Sequence, residues 1–368
     1  MNSKERLLNV LQGKKTDRVP VSTYELVGWN TNSFENQEPS YKRLMDYIRK
    51  NTDCMYMIDS GYEPFNGIEG KEESWAEGDS VFTRHTIPTP KGDLTKLLRV
   101  DKNIHTTWTL EHLFKTPEDM DKYLSLNFVP REPVLTDYYK AKKELGEDKG
   151  MVLFSIADPV CELAGNFEFS EFTIQSVLNK EKIKHFLDVI FEMHYAYLEK
   201  LLNSGIKDCL FRICGPEYCT PPYLSPEYFR DFIVEYDKKL IELIRKKGMY
   251  SRIHSHGKIG KVVDLIGEMG PDALDPVEPI PDGDISLKDV KERIGSKICL
   301  MGNMELKYLE FCTGNEIDTK VKEMMDAAKE NGRFVIMPTA APINVPLSSK
   351  TEQNYIKFID AALKYGEY

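Results

Sequence analysis

The sequence predicts an α/β fold, a (β/α)8 TIM barrel with an antiparallel hairpin excursion after its second strand. Three observations predict it. From Met151 onward, short apolar segments alternate with amphipathic helical ones. Two further apolar segments upstream bring the strand count to about eight, the number that closes a barrel. No G-x-G-x-x-G follows a first strand, as an open dinucleotide-binding sheet would require.

Taken in chain order, KERLLNVLQGKK reads as a helix with a solvated basic face, and RVPVSTY and DCMYMID as the first two strands. Residues 70–109 break the rhythm. SVFTRHTIPTPKGDLTKLLRV and NIHTTWTL are rich in Thr, Val and aromatics around a Pro-Lys-Gly-Asp turn, which predicts an inserted hairpin. The remaining strands are MVLFSIA, DCLFRIC, MYSRIH, DALDPV, KICLMGN and RFVIMP. Their continuous apolar character suits strands buried on both faces, and the helices between them require parallel pairing. FLDVIFEMHYAYLEKLLNSG ends at Gly205, and its stripe of Phe186, Ile190, Met193 and Tyr197 is barrel packing. SPEYFRDFIVEYDKKLIELIRKKG opens with Ser225 as N-cap and Pro226 at the first helical position, and stops at Gly248. SSKTEQNYIKFIDAALKYG closes the outer ring. With no internal repeat, linker or low-complexity tract, residues 1–368 read as one domain.

Composition narrows the function. The chain is 41% hydrophobic and 29% charged, ordinary globular usage. Its 49 basic and 59 acidic side chains leave a net charge of -10, which repels phosphate backbones, and no basic patch argues for nucleic acid. No apolar run reaches membrane-spanning length, and MNSKERLLNV lacks a signal-peptide core. The seven scattered cysteines read as reduced thiols. The expectation is a cytoplasmic protein acting on a small molecule, with a homodimer compatible with these features.

In such barrels functional residues sit where strands end. Four strand ends are polar: Arg212 to Glu217, Arg252 to Gly257, Asp272 to Pro279, and Met301 to Glu305. His254 and His256 carry the sharpest signal, because residues i and i+2 of extended backbone face the same way. Two imidazoles with a carboxylate, Glu278 or Glu217, form a zinc ligand set with an open position. The same histidines would equally hydrogen-bond anionic groups, or one would only brace its loop. Tyr24, Glu25 and Asp59 can line the pocket, although carboxylates there more often cap turns. Cys209, Cys214 and Cys219 match no metal or cluster spacing, and Cys214 alone falls near the site. His185 and His194 fall on an outer helix as surface or packing residues.

Several of these segments resemble the uroporphyrinogen decarboxylase-like superfamily: KERLLNVLQGKKTDRVPV, GPEYCTPPYLSPEYFRDFI, HSHG, DALDPVEPIPDGDISLKDVKERIG, LMGNM and KFIDAALKYGEY. The resemblance implies one of two activities. Uroporphyrinogen decarboxylation needs no metal and grips propionates with arginines after the first strand. This chain has no arginine between Arg18 and Arg43, and Arg212 and Arg252, lying within strands, are not expected to replace that clamp. The second activity is methyl transfer between a small molecule or thiol and a corrinoid protein. Members of that branch carry His-x-Cys where this chain has His254-Ser255-His256, and a second Cys near its Pro338 to Pro342. A harder set of His254, His256 and Glu278 would suit an oxygen substrate, which points to demethylation of a methoxy compound.

The resemblance therefore implies a zinc-dependent methyltransferase with a corrinoid protein as partner. His254, His256 and Glu278 would hold the metal, Glu217 would be an alternative ligand or proton donor, and Tyr24 and Asn303 would orient substrate. A decarboxylase using Asp59 and the histidines is the alternative, and a non-catalytic tetrapyrrole- or partner-binding barrel a third reading.

Overall fold

The structure, a computed structural model, describes residues 1–62, 70–129 and 131–368. Among the described residues, eleven strands form two sheets: β1 (Cys54–Asp59), β2 (Lys71–Glu77), β3 (Ser80–Ile87), β4 (Leu94–Asp101), β5 (Thr107–Glu111), β6 (Gly150–Ala157), β7 (Leu210–Cys214), β8 (Tyr250–Ser255), β9 (Ala273–Pro276), β10 (Cys299–Met304) and β11 (Phe334–Pro338). The larger is a parallel seven-stranded sheet in the order β1-β6-β7-β8-β9-β10-β11. Each of its strands coincides with an apolar run read from the sequence, and helices separate successive members after β6.

This curled sheet is TIM-barrel-like, but it is not the closed eight-stranded barrel that the sequence predicts. The segment expected as the first strand makes only an isolated parallel bridge, Val21 to Ile336. Pro20 has no N–H to give a ladder, so it serves only as an acceptor, from Ile336 N at 3.0 Å. Ser22 N donates to Ile336 O at 3.0 Å, and on the other side Val21 O accepts from Asp53 N at 2.7 Å. Residues 19–22 thus lie as a seam between β11 and the approach to β1.

The excursion follows β1, the second predicted strand, as expected, but it is a four-stranded antiparallel sheet rather than a hairpin. The sequence shows one strong turn, at Gly92, where the positive φ of 110° needs glycine. A second turn at Gly78 folds back KEESWAE, which has no apolar alternation because β2 is exposed along its whole length. Trp75 stacks on Phe82 at 5.6 Å across that pairing.

Two apolar layers flank the parallel sheet. The outer one joins it to the helices and includes Phe186, Ile190 and Tyr197 of the Lys180–Asn203 helix. The inner one fills the base of the curl with Met55, Met151, Leu153, Leu210, Met301, Val335 and Met337. Of the two histidines read as surface or packing residues, His185 is exposed and His194 is buried beside Glu162 at 2.6 Å. The helix opening at Ser225 runs from Pro226–Phe229 through a π-helical turn at Arg230–Val234 into Glu235–Lys246.

Candidate active site

Alternation along the strands decides what enters the curl. Leu210 and Met301 belong to its floor, so Arg212 and Cys214 on β7, Arg252 and His254 on β8, Asp275 on β9 and Asn303 on β10 share the inward face. The lowest polar level is a pair of arginines in direct register, Arg212 opposite Arg252. Arg252 is 1% exposed, with Nε 2.9 Å from Asp275 Oδ1. Arg212 donates through Nη2 to Tyr24 Oη at 2.6 Å.

One level nearer the opening stand Cys214 and His254. His254 Nδ1 faces Asp275 Oδ2 at 2.9 Å, and its Nε2 lies 3.5 Å from Tyr24 Oη. A carboxylate only accepts, so Nδ1 carries the hydrogen. Burial drives the His254 pKa down to about 4 despite the pull of Asp275, which leaves a neutral ring. Asp275 is buried too, yet Arg252 and His254 hold it well below the usual carboxylate range.

At the rim, His256 Nδ1 meets Glu278 Oε1 at 2.7 Å, and Gly257 N donates to Glu278 Oε2 at 2.7 Å. Burial opposes the charge on His256, but the hydrogen bond and attraction of Glu278 prevail and raise its pKa. Glu278 is lowered for the same reason, against its own burial. The two imidazole rings lie 4.7 Å apart and nearly perpendicular. Neighbours 4.7 Å apart are therefore shifted in opposite directions, His254 toward the neutral ring and His256 toward the charged one.

The other predicted site residues divide. Glu217 lies on the 3-10 turn Pro216–Cys219, where burial raises its pKa and His256 pulls the other way. Glu217 thus lies within electrostatic reach of His256, and its Oε2 accepts from Gly215 N at 3.3 Å. Tyr24 joins Arg212 to His254. Asn303 faces inward but donates to Val277 O at 2.9 Å, bracing the β9 loop. Cys214 lies 3.9 Å from Ser155 Oγ, its thiol pushed up to about 11 by burial. Asp59 ends β1 on the inward face, exposed, and accepts from Gly61 N at 2.8 Å as a turn cap.

Four inward residues escaped sequence reasoning. Arg212 and Arg252 lie within strands, as read, yet they point into the curl; their position two residues before Cys214 and His254 was the available signal. Asp275 belongs to the same set. Glu305, two residues beyond Asn303, is buried with Oε1 lacking a hydrogen-bond partner among the described residues, and burial raises its pKa to about 7.

Among the described residues, no group of three or more His, Cys, Asp or Glu side chains is placed to hold a metal ion. In this arrangement Glu278 Oε1 braces His256 Nδ1 and Oε2 accepts from Gly257 N. The carboxylate–imidazole contacts instead orient each ring and leave its Nε2 to act.

Residues 109–357 match the family model described as uroporphyrinogen decarboxylase (URO-D). The chain belongs to the URO-D family. Among solved structures, a methyltransferase from Methanosarcina mazei is similar to this URO-D family member over 99% of both chains, with a TM-score of 0.63 and 15% identity. That likeness establishes a shared fold. A D-psicose 3-epimerase determined in the presence of D-fructose is far more distant, with a TM-score of 0.35, 11% identity, and coverage of 63% of this chain and 83% of its own. No curated protein matches the sequence. No helix among the described residues is long and apolar enough to cross a membrane.

Proposed function

We propose that this URO-D family member moves a methyl group from a small methoxylated or methylated compound to a corrinoid protein. The observation that carries the reading is the His256–Glu278 pair at the rim, an imidazole with a raised pKa oriented by a carboxylate 2.7 Å away. Breaking a methyl–oxygen bond leaves the electron pair on oxygen, and that oxygen needs a proton. With Nδ1 committed to Glu278, His256 delivers it from Nε2, and Glu305, whose carboxyl interacts electrostatically with His256, can return one. Neutral His254 and Tyr24 line the path to the interior. A reduced corrinoid, brought by its partner protein, supplies the nucleophile that accepts the methyl group.

The similarity to the M. mazei methyltransferase along both chains is consistent with this reading. The proposed step uses the chain's own side chains, with Glu278 holding His256 and the Gly257 backbone, and is not routed through a metal. The test uses free reduced cobalamin as stand-in acceptor and a methoxybenzene as donor. Growth of the methylcobalamin spectrum, abolished in His256→Ala, supports the proposal. Turnover of uroporphyrinogen with no methyl transfer would replace it with decarboxylation, the alternative favoured by the two inward arginines.

A further inference from the structure

We infer that the interior of the curl holds one carboxylate of the substrate between the guanidinium groups of Arg212 and Arg252, so that the methyl donor is a methoxylated carboxylic acid. The inference deepens the proposed function and rests on it for the methyl transfer, not for the anion site.

The two guanidiniums sit side by side in register, 8% and 1% exposed. Like charges in a buried layer repel, and burial with the charge of Arg212 pushes the Arg252 pKa down. The charge compensation is incomplete at Arg252 alone, since Arg212 is raised against its burial by the groups around it. Arg252 has Asp275 at 2.9 Å, but that carboxylate also serves His254. The carboxylate in ion-pair contact with Arg212 is Glu25 at 3.7 Å, whose side chain is 45% exposed and therefore weakly attracting.

The hydrogen bonding is incomplete as well. Arg212 Nε and Arg252 Nη2 are buried with no hydrogen-bond partner among the described residues. Among the described residues, Arg212 Nη1 has Met57 Sδ at 3.6 Å and the longer Glu25 contact, and Arg252 Nη1 has Met301 Sδ at 4.0 Å. A buried guanidinium N–H without an acceptor is costly, and a planar fork matches the two oxygens of a carboxylate. An oxyanion here would answer both deficits.

The position is also productive. Arg252, His254 and His256 lie at successive inward positions of β8 and its extension, about 7 Å apart along extended backbone. An acid group held at the arginine level directs the rest of the molecule past His254 toward the proton donor at the rim. Arg212 Nη1 lies 3.7 Å from Glu25, whose side chain is 45% exposed.

The test compares 4-methoxybenzoate with neutral methoxybenzene by titration calorimetry on the whole chain. The acid is expected to bind at least about 10-fold more tightly, and Arg212→Met to remove about 10- to 100-fold of its affinity. Arg212→Lys, which keeps the charge and loses the fork, should fall between, and it keeps the test open if Arg212→Met fails to fold. Equal binding of the two compounds, no binding of the acid, or unchanged affinity in both variants would overturn the site. Tight, Arg212-dependent binding without methyl transfer to reduced cobalamin would uphold the site and remove the proposed function. Transfer from methoxybenzene as fast as from the acid would do the reverse.

Discussion

His256 Nδ1 stands 2.7 Å from Glu278 Oε1, while two residues earlier His254 Nδ1 stands 2.9 Å from Asp275 Oδ2, and only the rim pair carries a raised imidazole pKa. The same contact gives opposite outcomes because burial outweighs the carboxylate at His254 and does not at His256.

The rim pair fixes a pH dependence. A raised histidine gives stability that is present below its ordinary 6.5 and lost as pH rises through the folded value. A lowered glutamate gives stability present above 4.5 and lost as pH falls through its folded value. The pair therefore stabilises most between 4.5 and 6.5. If His256 is the proton donor, methyl transfer declines as pH rises past its pKa. Glu278→Gln should move that decline to lower pH, and NMR titration of the imidazole should follow it. His256→Ala should lower kcat by about 100-fold or more.

Asp275→Asn removes the buried countercharge of Arg252, which is 1% exposed. An uncompensated charge left inside should cost about 3–5 kcal/mol, read as a shift in the urea unfolding midpoint. An unchanged midpoint would mean that the arginine finds another partner.

Asp237, fully buried on the Glu235–Lys246 helix, has neither carboxylate oxygen hydrogen-bonded among the described residues, and burial raises its pKa well above 3.8. Its stabilising effect is complete below 3.8 and is lost as pH rises toward the folded value. Asp237→Asn should thus be close to neutral in acid and more stable than the parent by at least about 1 kcal/mol at pH 7. Thermal unfolding across pH reads the crossover.

Chelation tests the metal directly. With Glu278 engaged by His256 and Gly257, dialysis against a chelator is expected to leave the melting temperature and the His256 titration unchanged. Equimolar zinc in the purified protein, with a lower melting temperature once it is removed, would restore the ligand set expected from the sequence.

The strands from Met151 to Pro338 were legible because burial on both faces leaves an unbroken apolar run. The four-stranded excursion was not, since β2 is exposed throughout and carries no apolar periodicity. The seam at residues 19–22 looked like a strand, but Pro20 removes a donor that a ladder needs. Within the site, His254, His256, Glu278 and Glu217 were readable from strand-end position. The contacts of Asp275, Glu305 and the two arginines depend on neighbouring strands distant in sequence. Arg212 and Arg252 shared the parity of Cys214 and His254, yet their mid-strand position suggested wall rather than interior.

The seam has a consequence for assembly. β1 and β11 begin some 280 residues apart, and residues 19–22 bond to Ile336 on one side and Asp53 on the other. The ring's two free edges are tied together by a short N-terminal strap rather than by pairing with each other. Such a tie can engage only after the last strand is in place, which makes completion of the curl a late, long-range event. Tyr24, just beyond the strap, joins Arg212 to His254, so the polar interior is finished by the same step that fastens the fold.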